Sequence, residues 1–295
     1  MLTLTFLGVG SAFAKRNFQS NALVEAWKHG PERQDRPDET LLIDFGMTGP
    51  LALHHLKDQH GFAYLAHNRR INYVAIDRIF ITHLHADHVG GLFELAGVCR
   101  YAYKELPGGR ALKPRLLAAD DVLCDLWERC LVGSLGPRRG GCAALSDYFV
   151  TETLRASPAG RAGQHTMLDR YTFTLFRTDH IRIHEKYDWP AYGLLLADDR
   201  TDETVFFSSD SRLDVEGNGA LMRGAKLLFH DTQLEPAEDP IHASIGELRE
   251  LPGDLRKRMA LYHYSDRYDD PEYAFIADEF AGLAQPRLRY PLFES

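Results

Sequence analysis

A chain of 295 residues with a formal net charge of −8 can bury a sizeable core, and its acidity weighs against a broad basic surface for nucleic acid, which needs clustered Lys and Arg, so that small substrates fit better than RNA. No apolar run is long enough to span a bilayer, and the first residues lack the basic-then-apolar pattern of a secretory signal. Cys99, Cys124, Cys130 and Cys142 are scattered without metal-binding spacing, so the expectation is a cytoplasmic protein with reduced thiols, one domain over 1–295 and loop insertions near 29–39 and 132–148.

Leu2 to Phe6 alternates threonine with large apolar residues and predicts an opening strand, ending at Gly8-Val9-Gly10-Ser11. Asn21 to Trp27 and Thr40 to Asp44 read as the next two strands, with the polar stretch from His29 to Glu39 as the loop between them. Pro50 to Leu56 predicts a short helix with proline near its start, and Ile76 to Ile81 a central buried strand. Beyond Gly91, Leu92, Leu95 and Ala96 have helical spacing, as do Val122, Leu123, Leu126, Trp127 and Cys130. Val132 to Gly141 is glycine-rich, locally basic and reads as a mobile loop. Tyr171 to Thr178, Ala191 to Ala197, Thr204 to Ser208, Lys226 to His230 and Met259 to Tyr262 are successive strand candidates, most ending in polar residues. This order is compatible with two sheets between outer helices, although the pattern alone does not choose that over other layered α/β folds.

The strongest chemical signal follows the Ile76 to Ile81 run. His83-Leu84-His85-Ala86-Asp87-His88 places four metal-ligand side chains at a strand end. His83 and His85 are two apart, so in an extended segment they leave the same side and can hold one ion. Asp87 and His88 follow at a turn and can face a second. Imidazole and carboxylate together suit zinc, manganese or iron, and the lack of a nearby cysteine points to an open, catalytic centre.

Thr82 to His88 resembles the Thr-His-x-His-x-Asp-His signature of the metallo-β-lactamase superfamily, and Gly90-Gly91-Leu92 is similar to its phosphodiesterase branch, which includes ribonuclease Z. The resemblance implies an α/β fold, a four-layer αββα sandwich, and two divalent ions, zinc first with manganese or iron as alternatives. Asp210, after Val205-Phe206-Phe207, resembles the family's bridging aspartate. His263-Tyr264-Ser265-Asp266-Arg267-Tyr268 resembles its His-Phe-Ser-x-Arg-Tyr end motif, departing at Tyr264. His180 and His184 both follow a strand, and His180 better matches the family's position. The implied assignment is His83, His85 and His180 on one ion, Asp87, His88 and His263 on the other, Asp210 between them and Asp44 supporting a ligand histidine. Asp87 is also counted as catalytic, turnover being expected to vanish without it.

Leu227-Leu228-Phe229-His230-Asp231-Thr232 and His242-Ala243-Ser244 resemble paired segments of ribonuclease Z in which a carboxylate orients a histidine that protonates the leaving oxygen. Carried over, His242 is the acid and Asp231 its partner, with Asp where the family has Glu. Arg212 and Arg267 are candidate clamps for phosphate oxygens, and Ser265, with Ser209 and Ser211, can orient the site. The resemblance implies a phosphodiesterase using a metal-bridged hydroxide. The acidic chain and its similarity to cyclic-nucleotide phosphodiesterases of this branch, anti-Pycsar enzymes included, favour small 3′,5′-cyclic nucleotides. A transfer RNA 3′-processing endonuclease and a nucleotide-binding sponge without turnover are the alternatives. Homodimerisation is implied by the resemblance alone.

Overall fold

The computed structural model describes residues 1–154, 164–184 and 187–294, with the backbone alone described at His184, Tyr187 and Asp188. The chain forms two compact units, one of Met1–Gly8, Gln19–Thr153 and Arg287–Ser295, the other of Val9–Phe18 and Leu154–Pro286. Among the described residues no helix is long and apolar enough to cross a membrane.

The first unit is built on a seven-stranded sheet in the order Val150–Leu154, Arg115–Ala119, Arg78–Ile81, Glu39–Ile43, Asn21–Ala26, Leu2–Gly8 and Arg289–Phe293. Leu2–Gly8 is buried throughout, Thr3 and Thr5 included, so both of its faces are covered. The helix Gly49–Leu56 packs on this strand through its buried face of Ala52, Leu53 and Leu56. Glu25 is fully buried and paired: Arg289 donates to both carboxylate oxygens at 2.8 and 2.9 Å, and Tyr64 adds a hydrogen bond of 2.7 Å. The guanidinium also lies over Trp27 and Phe62, so charge and stacking act together.

Arg78–Ile81 runs parallel to both Glu39–Ile43 and Arg115–Ala119, which brings their C-terminal ends to one edge. Asp44 and Thr82 therefore emerge side by side, the Asp44 amide donating to Phe80 O at 2.8 Å. The predicted strand from Ile76 begins two residues late, because Tyr73–Ala75 forms a 3₁₀ turn and the Asp77 carboxylate accepts from the Thr40 amide and hydroxyl. Arg115–Ala119 is a strand made of leucine and alanine, good helix formers, and it is extended because it completes the parallel sheet.

Two further departures have local causes. The helix Asp120–Asp125 passes into a π turn at Leu126–Leu131, so the buried stripe steps from Leu126 to Leu131 and the predicted core residues Trp127 and Cys130 are half-buried. The expected loop after Val132 is ordered: helix Val132–Leu135, the ladder of Pro137–Arg138 with Gly141–Cys142, and helix Leu145–Tyr148, with the Tyr148 hydroxyl donating to Leu135 O at 2.8 Å.

The second unit also has a seven-stranded sheet, ordered Gln164–Met167, Tyr171–Arg177, Tyr192–Asp198, Glu203–Phe207, Leu227–Asp231, Met259–Tyr262 and Gly282–Leu283. The first four strands alternate in direction and the last four are parallel. Tyr171–Arg177, Glu203–Phe207, Leu227–Asp231 and Met259–Tyr262 thus all end at one edge, where the residues that follow carry His180, Asp210 and His263. Ligand chemistry at the carboxyl ends of strands is the general rule for such sheets.

Candidate metal centre

In the first unit the donors hang on one strand end and one helical turn. Asp44 sits at φ 59°, a left-handed conformation that costs a non-glycine residue about 1–3 kcal/mol. It turns the carboxylate inward. Asp44 Oδ1 accepts from the Thr82 amide at 2.8 Å, and Oδ2 from the Thr82 hydroxyl at 2.7 Å and from His88 Nδ1 at 2.7 Å. The close approach behind this network requires glycine at 46, since a Cβ there would lie 1.7 Å from Asp87 O. Burial pushes the Asp44 carboxyl up, against the opposing pull of His88 and Thr82.

These contacts decide which imidazole nitrogens carry lone pairs. A carboxylate only accepts, so His88 donates from Nδ1, and in the neutral ring its Nε2 carries the lone pair. Thr82 gives its one proton to Asp44, so at 3.0 Å its oxygen accepts from His83 Nδ1, and in the neutral ring His83 Nε2 likewise carries the lone pair. His83 Nε2 and His85 Nδ1 lie 3.1 Å apart, close enough to share a proton or to converge on an ion. Asp87 Oδ2 is 3.4 Å from His88 Nε2. His83, Asp87 and His88 are all buried, and the set is nitrogen and carboxylate oxygen, which fits a borderline divalent cation.

The second unit supplies its donors from separate strand ends. Ser209 at φ 55° and His263 at φ 62° repeat the left-handed turn seen at Asp44. His180 is buried, its Nδ1 donating to Ile241 O at 2.8 Å, which in the neutral ring leaves Nε2 with the lone pair; burial pushes its pKa down, in favour of that neutral form. His180 and Asp210 each bring a donor atom within 4.8 Å of the other, as do Asp210 and His263, whose Nε2 lies 3.5 Å from Asp210 Oδ2. Of His184 only the backbone is described, in the strand Arg182–His184.

Beside these donors stands the pair expected for proton transfer. His242 Nδ1 donates to Asp231 Oδ2 at 2.8 Å, and the ring lies 4.7 Å from His263 and 5.1 Å from His180, centroid to centroid. Asp231 is fully buried. Burial pushes its carboxyl up, yet hydrogen bonds from His230 and His242 prevail and hold it below the ordinary value. The Ser211 amide donates to the same Oδ2 at 3.1 Å and His230 Nδ1 lies 3.2 Å from Oδ1, so the shorter Asp side chain reaches its partner. His230 and Thr82 hold carboxylates in roles that spacing did not reveal, though both lie inside the motifs.

The candidate phosphate contacts divide. Arg267 is exposed and already paired, to Asp270 at 2.6 Å and Glu272 at 2.8 Å, and the Ser265 hydroxyl donates to Glu235. Among the described residues, the Arg212 side chain makes a single long contact, 3.5 Å to Asp179.

Residues 2–290 match the family described as Anti-Pycsar protein Apyc1. The chain belongs to that family. It is 33% identical over 267 residues to the Anti-Pycsar protein Apyc1 of Paenibacillus sp. (strain J14), covering 90% of each chain. It is 34% identical over 272 residues to that of Bacillus phage vB_BsuM-Goe3, again 90% of each. Among solved structures, the metallo-β-lactamase fold protein YhfI of Bacillus subtilis covers 98% of both chains at TM-score 0.62 and 16% identity. Unliganded yeast PDE1 covers 98% of this chain and 99% of its own at TM-score 0.66 and 14% identity. The metallo-β-lactamase fold expected from Thr82 to His88 is therefore the fold of this Apyc1 family member, with the two mixed sheets described above.

Proposed function

We propose that this metal-dependent hydrolase is a phosphodiesterase that opens 3′,5′-cyclic nucleotides, with His242 as the general acid. The observation that carries the reading is the His242–Asp231 hydrogen bond of 2.8 Å beside the Asp210 carboxylate, which lies 4.0 Å from the same His242 nitrogen. A departing alkoxide must be protonated, and an imidazole held by a buried carboxylate is suited to supply that proton.

His83, His85 and His180 are assigned to one divalent ion, Asp87, His88 and His263 to the other, and Asp210 to both, as the family resemblance implies. The tautomers support this: His83, His88 and His180 are each pinned through Nδ1, leaving Nε2 as the donor atom. Zinc is the first choice of ion, with manganese and iron also suited to the donor set. When bound, the ions supply a water nucleophile at neutral pH and positive charge opposite the phosphoryl oxygens. Asp231 keeps His242 in the tautomer that protonates through Nε2 and stabilises its charged form. His242 is half-buried and so within reach of a ligand, while its partner is not exposed at all. The small-nucleotide substrate is supported by the similarity to cyclic-nucleotide phosphodiesterases and by the net charge of −8. A homodimer rests on the family resemblance and is checked by sedimentation.

The test is a panel of cyclic mononucleotides, cyclic dinucleotides, bis-p-nitrophenyl phosphate and precursor transfer RNA, each with metal-loaded protein. Hydrolysis of cyclic mononucleotides that disappears in Asp87→Ala is the expected result. Cleavage of precursor RNA alone, or recovery of unchanged nucleotide bound to the protein, overturns it in favour of a processing nuclease or a sponge.

A further inference from the structure

We propose that Asp179 and Arg182 are positioning residues that hold the Arg212 guanidinium ready to anchor the phosphodiester anion, a role that rests on the phosphodiesterase reading above. The argument begins with the backbone. Arg212 lies two residues after Asp210, and the intervening Ser211 is locked on both sides, its amide to Asp231 Oδ2 at 3.1 Å and its carbonyl to the Ala243 amide at 2.8 Å. The Arg212 amide itself donates to Asp179 O at 2.6 Å. Its Cα is thus fixed relative to Asp210 and to the segment that carries His242.

The side chain is guided but not saturated. Arg212 Nη2 reaches Asp179 Oδ1 at 3.5 Å, a long contact, and its buried Nε has no hydrogen-bond partner among the described residues. A guanidinium has five donors, so most of this one remain for a ligand. The reason is visible in Asp179. Arg182, three residues on, grips both of its oxygens, Nε to Oδ1 at 3.1 Å and Nη2 to Oδ2 at 2.6 Å. A carboxylate engaged in this way cannot also form a two-bond fork with Arg212.

Exposure separates the two arginines. The Arg182 side chain is 64% exposed and that of Arg212 only 27%, so solvent meets Arg182 while Arg212 is largely shielded, on the segment that carries Asp210. A partly desolvated guanidinium with unused parallel donors matches the two oxygens of a phosphodiester, and lysine, a point charge, does not reproduce that fork. Arg267, gripped by two carboxylates and open to solvent, has neither property.

The test is a kinetic cycle on metal-loaded enzyme with a 3′,5′-cyclic nucleotide and, separately, bis-p-nitrophenyl phosphate, plus calorimetric titration with inorganic phosphate as a readout free of turnover. Arg212→Ala and Arg212→Lys are expected to raise KM and weaken phosphate binding about tenfold, the size of one lost charge-assisted hydrogen bond, with kcat changed less than about threefold. Asp179→Asn and Arg182→Ala shift KM and phosphate affinity in the same sense, and adding Arg212→Ala to either has no further effect. Additive losses, a fall in kcat at constant KM, or phosphate affinity unchanged in Arg212→Ala overturns the proposal. If bis-p-nitrophenyl phosphate responds as expected and no cyclic nucleotide is hydrolysed, the anchor stands and the substrate reading fails.

Discussion

Asp44 in the first unit and Asp231 in the second are both buried carboxylates that hold a histidine through Nδ1, at 2.7 and 2.8 Å, yet their acidities move in opposite directions. Asp44 meets one imidazole and one threonine, and burial wins. Asp231 lies between two imidazoles and also accepts from the Ser211 amide. The partners differ as well: the His88 side chain is 2% exposed, that of His242 17%. The same carboxylate–imidazole unit thus backs a buried histidine in one place and a half-buried one in the other, and on the proposed assignment the first is a metal ligand and the second the proton donor.

Loss of the proton donor should break this contrast most severely. His242→Ala is expected to lower kcat on a cyclic nucleotide by about 10²–10⁴-fold with metal content unchanged; a loss within a few-fold by steady-state kinetics would remove His242 from proton transfer. Asp44→Asn should act through the metal instead, weakening affinity about 10–100-fold. Turnover then returns as metal is titrated in, whereas Asp231→Asn stays impaired at saturating metal, and equal rescue of both would erase the distinction.

A smaller effect concerns protons. Burial holds His180 below its ordinary value of 6.5, so below that pH the unfolded chain takes up a proton that the folded one refuses. Stability of the metal-free protein should therefore be full above about pH 6.5 and decline as pH falls, by at most about 1.4 kcal/mol per pH unit from this group. Urea unfolding at pH 7 and pH 5.5 checks the slope, which His180→Gln should flatten. Smallest of all, Arg267→Ala should change KM less than about twofold, since its ion pairs are exposed and screened by solvent.

The first unit's donors were legible because four of them fall within His83 to His88, where spacing alone reports a common face. Asp210 and His263 were legible one step later, as polar residues closing apolar strands. What spacing cannot carry is backbone sign: Asp44, Ser209 and His263 all turn left-handed, and none is the glycine that would announce it. The π turn at Leu126–Leu131 escaped because a helical stripe is read at a fixed period. Arg115–Ala119 escaped because its residues favour helix and only its parallel neighbours hold it extended. Spacing says nothing of Asp179 and Arg182, because Arg212, which the fold brings to Asp179, lies 33 residues away from it.

The Glu25–Arg289 pair joins residues 264 positions apart, and this has a consequence for synthesis. A ribosome that has made the Asn21–Ala26 strand has not yet made its guanidinium. Throughout that interval the carboxylate must stay hydrated or protonated, because sealing it into an apolar layer alone would cost several kcal/mol. The first sheet therefore cannot close around Glu25 as it emerges, and its central strands must wait, partly wet, for a strand translated long after them.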